Sequence, residues 1–145
     1  MLLSAARRRG SEQRIEVSIP PNLPLVRADA TLIEQAIGNI IGNAIAHTPK
    51  ETRITVDALV DPETVSLRVT DTGPGIDAGS LPHIFDKFVK APTFFGDGGE
   101  GVGLGLAITK GIMDAHGGSI RAESPVAHGH GSRFVLTFAR EAALS

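Results

Sequence analysis

Three glycines alternate through Gly101, Val102, Gly103, Leu104, Gly105 and Leu106 and lead straight into an apolar stretch, Ala107, Ile108 and onward, with helical spacing. Each glycine at a helix start costs about 1 kcal/mol relative to alanine, so the pattern calls for a compensating gain. Bare backbone amides supply one. The first turn of a helix leaves about four N–H groups unpaired and carries partial positive charge, so a helix opening near Gly103 makes a phosphate site. A flexible loop ending in a helix is the alternative reading of the same residues. Gly96, Gly98 and Gly101 satisfy the G-x-G-x-x-G spacing, but no strand leads into them, which argues against a dinucleotide fold. No glycine run ends in Gly-Lys-Ser or Gly-Lys-Thr, which removes the P-loop.

Two further groups have types and spacing suited to chemistry. Asn39 and Asn43 stand one turn apart in an otherwise aliphatic helical stretch, so both amides leave the same face. Asparagine is a poor helix former, and the pair costs stability unless the amides find partners. Those partners are either a neighbouring loop or a ligand, since an amide oxygen is a hard, neutral donor suited to Mg²⁺, which keeps most of its waters. Asp71, Thr72, Gly73, Pro74, Gly75 follows a strand pattern and reads as a tight turn. Asp71 is either a turn former or an acceptor for the exocyclic amine of a base, with Gly73 and Gly75 admitting the ring. A carboxylate cannot pair with a carbonyl oxygen, so such a pocket selects adenine over guanine.

The elements that must position these groups alternate along the chain. Arg14 to Ile19 alternates as a strand and ends at Pro20 and Pro21. Asp29 is placed to N-cap a helix to about Ala46, with Leu32, Ile33, Ala36, Ile37, Ile40, Ile41, Ala44 and Ile45 at helical spacing and Pro49 as its stop. Arg53 to Val60 and Thr64 to Val69 read as strands around a turn at Asp61 and Pro62, and Leu81 to Phe88 as a short helix. Gly103 to His116 reads as a longer helix capped by Gly117, and Ser119 to Glu123 and Arg133 to Phe138 as two more strands. The expected fold class is α+β, a two-layer sandwich with helices on one face of a mixed sheet.

Composition narrows the function classes. At 145 residues the chain is one domain able to bury its own core, and a formal charge of −2 with dispersed basic residues gives no nucleic-acid footprint. Without cysteine there is neither a disulfide nor a thiolate metal site. Met1, Leu2 and Leu3 are too short an apolar run for a signal or membrane span, and Arg7, Arg8, Arg9 reads as a solvated tail. His128 and His130 lie in a Gly-rich loop without further ligands nearby and read as solvent-facing; His116, beside Gly117, reads as a helix C-terminal residue.

Five segments taken together carry a family resemblance. Asn39 to Ala44, Asp71 to Gly75, Phe85 to Phe88, Gly101 to Leu106 and Gly129 to Phe134 resemble, in this order, the N box, first glycine box, F box and later glycine boxes of bacterial sensor histidine kinases. The resemblance covers about Leu23 to Phe138 and is to the catalytic, ATP-binding domain, within the superfamily that includes gyrase and heat-shock chaperone ATPases. Ile84 to Val89, Val102 and the run Gly111 to Gly118 are most similar to the KdpD-like potassium and turgor sensors.

The resemblance implies a Bergerat-type sandwich binding ATP and Mg²⁺ between the long helix and a lid from about Lys87 to Glu100, with Gly96, Gly98 and Gly99 as hinge positions and Phe94 and Phe95 as lid anchors or partner contacts. By matching positions, Asn43 is the Mg²⁺ ligand, Asn39 a phosphate or metal-water contact, and these two are the catalytic pair. Asp71 is the adenine acceptor, and Gly101, Gly103 and Gly105 offer amides to the phosphates. The cofactor-binding set is completed by His47, Gly73, Gly75, Ile76, Phe85, Lys87, Phe88, Lys90, Val102, Leu104, Leu106 and Ser132. In hydrolysing relatives the place of Asn39 is a glutamate that activates water; an amide has no useful basicity, so the pocket is expected to hold ATP for transfer to a protein side chain.

Two positions depart from the family pattern. Ala46, before His47, stands where many members carry a phosphate-binding lysine, a loss worth about 1.5–3 kcal/mol that Lys87 and Lys90 would partly offset. Lys90 itself replaces a frequent arginine, exchanging a planar fork for a point charge. The acceptor histidine of such kinases sits on a dimeric helical hairpin, and only about 28 residues precede the N-box helix. The expected organisation is therefore a remnant over 1–13, the catalytic domain over 14–140 and a tail over 141–145, either excised from or the terminal piece of a larger membrane-anchored sensor, and cytoplasmic. Its expected partners are the dimerisation and phosphoacceptor domain and a downstream response regulator, with no nucleic acid and no direct membrane contact. A free-standing serine kinase of the anti-sigma-factor type shares the pocket, though the full F box and long lid argue against it. A degenerate nucleotide-sensing module is the non-enzymatic alternative, motivated by Ala46.

Overall fold

The computed structural model describes residues 14–20, 23–24, 26, 28–86, 105–126 and 128–140, with the backbone alone for His47. The elements follow as β1 (Arg14–Ser18), α1 (Ala30–His47), β2 (Arg53–Val60), β3 (Thr64–Asp71), a 3₁₀ turn (Leu81–His83), α2 (Gly105–Ala115), β4 (Ser119–Glu123) and β5 (Ser132–Ala139). The five strands form one sheet in the order β1-β2-β3-β5-β4, parallel only between β1 and β2 and antiparallel elsewhere. The parallel pair is joined through α1, as a same-direction return requires a long crossover.

The strand register separates two faces. Ile15 and Ile54, Val17 and Val56, Val56 and Val69, Val69 and Phe134, and Leu67 and Leu136 are directly paired, forming an apolar layer under the helices. Ile40 and Ile41 of α1 and Ile112 and Met113 of α2 close over it with Ile54, Val56, Val69, Phe134 and Leu136, all buried. Each such aliphatic or aromatic side chain contributes about 1.5–3 kcal/mol of burial, so this layer dominates the stability of the domain. The opposite face is polar. Arg68 makes a two-pronged pair with Asp57 (Nε to Oδ1 and Nη2 to Oδ2, each 2.8 Å), which raises the guanidinium pKa above its ordinary value, mainly through those hydrogen bonds. A groove of about 310 Å³ on this face is lined by Ser66, Arg68, Arg121, Glu123 and Arg133 among others, remote from the helix layer.

The helix ends have local causes. Asp29 N-caps α1 with Oδ1 accepting from the Leu32 N–H at 3.1 Å, as expected from its side chain. At the other end Pro49 pushes Thr48 into an extended conformation (φ −118°, ψ 155°), and the Thr48 hydroxyl turns back to the Ala44 carbonyl at 2.7 Å. Of the short helix predicted over Leu81 to Phe88, the described part is instead a 3₁₀ turn of three residues followed by turns to Asp86, and Lys87 and Phe88 lie outside the described residues. Pro82 removes a donor there, and the bonds that form, His83 N–H to Ser80 and Asp86 N–H to His83, span three residues rather than four. The expected remnant over 1–13 and tail over 141–145 lie outside the described residues. No helix of the described residues is long and apolar enough to cross a membrane.

Candidate functional site

Asp71 ends β3 on the apolar, helix-facing side of the sheet, where the alternation would otherwise place another aliphatic residue. It is 4% exposed, and its direct partner on β5 is Ser132, 2% exposed. Ser132 Oγ donates to Oδ2 at 2.6 Å and the Gly73 N–H donates to Oδ1 at 2.9 Å. Both oxygens are thus fixed in direction, and each keeps acceptor capacity for a further donor.

The turn after Asp71 is held by residues far away in sequence. Gly75 has φ +93°, and a Cβ there would lie 2.8 Å from Ser124 Oγ and 3.1 Å from the Gly131 carbonyl oxygen, so only glycine fits. Ser124 Oγ accepts from the Ile76 N–H and donates to the Gly131 carbonyl, both at 2.8 Å, while the Gly131 N–H reaches the Gly73 carbonyl at 2.9 Å. Ser124 was not foreseen from sequence: a lone serine before Pro125 carries no signal until the turn 48 residues upstream is folded against it. Ile76 is buried, and Phe85 packs edge-on against Phe134, ring centroids 6.2 Å apart.

The second group lies between the helices. Asn39 Nδ2 donates to Thr109 Oγ1 at 3.2 Å and to the Gly105 carbonyl at 3.4 Å, so its nitrogen is held within the protein, by helix α2 and not by a loop. Thr109 is fully buried and donates to the same Gly105 carbonyl at 2.9 Å. Asn43 is one turn further along the same face. Its amide has no hydrogen-bond partner among the described residues, yet no buried side-chain oxygen or nitrogen is left unpaired, so it opens to solvent. Gly105 is exposed at the start of α2 and Leu106 buried beneath it.

Helix α1 joins the two groups. A Cβ on Gly73 would lie 3.0 Å from Thr48 Cγ2, which sets the turn after Asp71 against the C-terminal end of α1. From Asn39 to Thr48 the helix rises by roughly 13 Å, so one wall runs from the start of α2, past Asn43, to the Asp71 turn. No group of three or more His, Cys, Asp or Glu side chains able to hold a metal occurs among the described residues, and His128 and His130 are both exposed. Among the predicted site residues, Lys87, Phe88, Lys90, Gly101, Val102, Gly103 and Leu104 lie outside the described residues, as do the predicted lid and the side chain of His47, the last residue of α1.

A two-layer sandwich with a buried carboxylate at a strand end and paired amides on the overlying helix defines a Bergerat-type ATP-binding domain. Residues 28–142 match the family of histidine kinase-, DNA gyrase B- and HSP90-like ATPases, and the chain belongs to that family as a catalytic, ATP-binding domain of the histidine-kinase type. It is 41% identical over 109 residues to the sensor protein KdpD of Clostridium acetobutylicum, covering 75% of this chain but 12% of that protein. Its fold is similar to that of the mycobacterial sensor histidine kinase MprB, with a TM-score of 0.85 at 30% identity, over 98% of this chain and 93% of that one. It is also similar to full-length ShkA, solved in complex with AMPPNP, with a TM-score of 0.77 at 29% identity, over 98% of this chain and 30% of that one.

Proposed function

We propose that this domain binds ATP with Mg²⁺ along the α1 wall and transfers the γ-phosphoryl group to a histidine on a separate dimerisation domain of a membrane-anchored sensor, in the cytoplasm, with a response regulator downstream. The observation that supports this most is the common wall: α1 places the solvent-open Asn43 amide between Asn39 and the turn that fixes Asp71. In this reading Asp71 accepts the adenine amine, and the backbone at Gly105 serves the phosphates. Asn43 fits Mg²⁺ through a neutral amide oxygen, and the described residues hold no cluster of three or more acidic or histidine side chains able to hold a metal, as suits a cation that keeps waters and takes phosphate oxygens. When bound, Mg²⁺ neutralises charge on the phosphates. The chain's own contribution is positioning: Asp71 and Ser132 hold the base, and Asn39 keeps α2 at its distance from α1. The Asn39 amide itself has no basicity with which to activate water, which favours transfer over hydrolysis.

The test mixes the domain with a helical-hairpin fragment carrying the acceptor histidine and with γ-labelled ATP. Acid-labile, base-stable label on the fragment is the expected result. Nucleotide binding without any transfer, or acid-stable label on a serine, contradicts it.

A further inference from the structure

We propose that His116 is a positioning residue for the nucleotide cleft, its imidazole tying the end of α2 to the start of α1 and thereby setting the register of the two helices that carry Gly105, Asn39 and Asn43. The inference rests on the cleft being the ATP site.

The ring bridges two helix ends. α2 closes with the Gly118 N–H bonded to the Met113 carbonyl (2.9 Å) and the Gly117 N–H to the Asp114 carbonyl (3.1 Å), Gly117 having φ +69°, which makes His116 the C-cap. His116 Nδ1 lies 2.7 Å from the Ile112 carbonyl oxygen, which can only accept, so Nδ1 carries the proton. Nε2 lies 3.1 Å from the Asp29 backbone nitrogen, which can only donate, so Nε2 presents its lone pair. The contacts therefore select the Nδ1–H tautomer.

Asp29 is the N-cap of α1, and its own N–H is the group that a Glu or Gln three residues on would accept in a capping box. That position here is Leu32, which cannot accept. His116 supplies the missing acceptor from 87 residues away. Helix α2 is then clasped to α1 near both of its own ends, by His116 with the start of α1 at Asp29 and by Gly105 and Thr109 with Asn39 midway along α1. One clasp leaves a pivot; two fix the sliding and tilt of one wall against the other.

The donor and acceptor roles separate by substitution. H116N keeps a donor for the Ile112 carbonyl but cannot reach Asp29, whereas H116Q places an acceptor where Nε2 stands. For the 145-residue chain titrated calorimetrically with Mg-ATP, H116N is expected to bind about fivefold or more weakly and H116Q within about twofold of the unsubstituted domain. Equal affinities for the two variants, whether both normal or both impaired, overturn the proposal. Failure of the unsubstituted domain to bind Mg-ATP overturns the cleft reading instead.

Should H116N not fold, amide exchange in the unsubstituted domain decides. Coupling is reciprocal, so ATP must slow exchange at the Asp29 amide more than at Asp61 N–H in the β2–β3 turn. Equal slowing at both overturns the proposal.

Discussion

Ser132 and Asp71 face each other directly across β5 and β3, and the serine hydroxyl donates to Asp71 Oδ2 over 2.6 Å within the interior. The pair occupies the last position of an otherwise apolar column running through Val69 and Phe134. Ser132→Ala removes that donor from a buried carboxylate oxygen and is expected to destabilise the domain by about 1–3 kcal/mol. Thermal or urea melting measures this, and an unchanged melting curve would show that the pair carries no such load.

Replacing Asp71 by asparagine exchanges one carboxylate oxygen for an NH₂ group. The site then presents a donor toward either Ser132 or the base, and ATP affinity is expected to fall by about 1.5–3 kcal/mol, tenfold or more. The preference for ATP over GTP should narrow together with it. Competition binding of the two nucleotides to both forms is the check, and an unaltered ratio would reject Asp71 as the adenine acceptor.

Two glycines should respond in opposite directions to alanine. Gly75→Ala forces a Cβ against Ser124 Oγ and the Gly131 carbonyl at a positive φ, a loss of about 1–3 kcal/mol. Gly111, exposed in the interior of α2 with nothing within 4 Å of a built Cβ, should gain about 0.5–1 kcal/mol on the same change. Chemical denaturation of the two variants measures both signs, and a neutral Gly75→Ala would mean that the turn is not held as described.

The polar face of the sheet provides a control. Asp57→Asn weakens the part-exposed pair with Arg68 and should cost at most about 1 kcal/mol. Because this pair lies on the side away from the helices, ATP affinity should not change. A marked loss of binding in Asp57→Asn would place the nucleotide on the wrong side of the sheet.

Local chemistry made much of the fold legible. Asp29 and Pro49 bracket α1 because capping and the pre-proline restriction act within a few residues, and β2 and β4 were readable to their end residues from two-residue alternation. In the Leu81 segment the apolar spacing says nothing of the tighter 3₁₀ pitch that Pro82 accompanies, so its described residues form a 3₁₀ turn where the spacing predicts a helix. At the site, Asp71 and the two asparagines stand out as polar residues in apolar patterns. Ser124, Thr109 and the second bond of His116 do not, since their roles exist only once segments 48, 70 and 87 residues apart are packed together. The division of labour between Asn39, whose nitrogen holds α2, and Asn43, which opens to solvent, was likewise invisible in a pair of identical residues.

The central claim is that α1 presents Asn43 to a metal-bound triphosphate while the turn behind it holds the base. Calorimetric titration of ATP into the unsubstituted domain and into Asn43→Ala, with and without Mg²⁺, tests it most directly. The account predicts that Mg²⁺ tightens binding to the unsubstituted domain by about tenfold or more and leaves Asn43→Ala, still folded, nearly indifferent to the metal. Equal Mg²⁺ dependence in the two proteins, or binding that needs no metal in either, would contradict it.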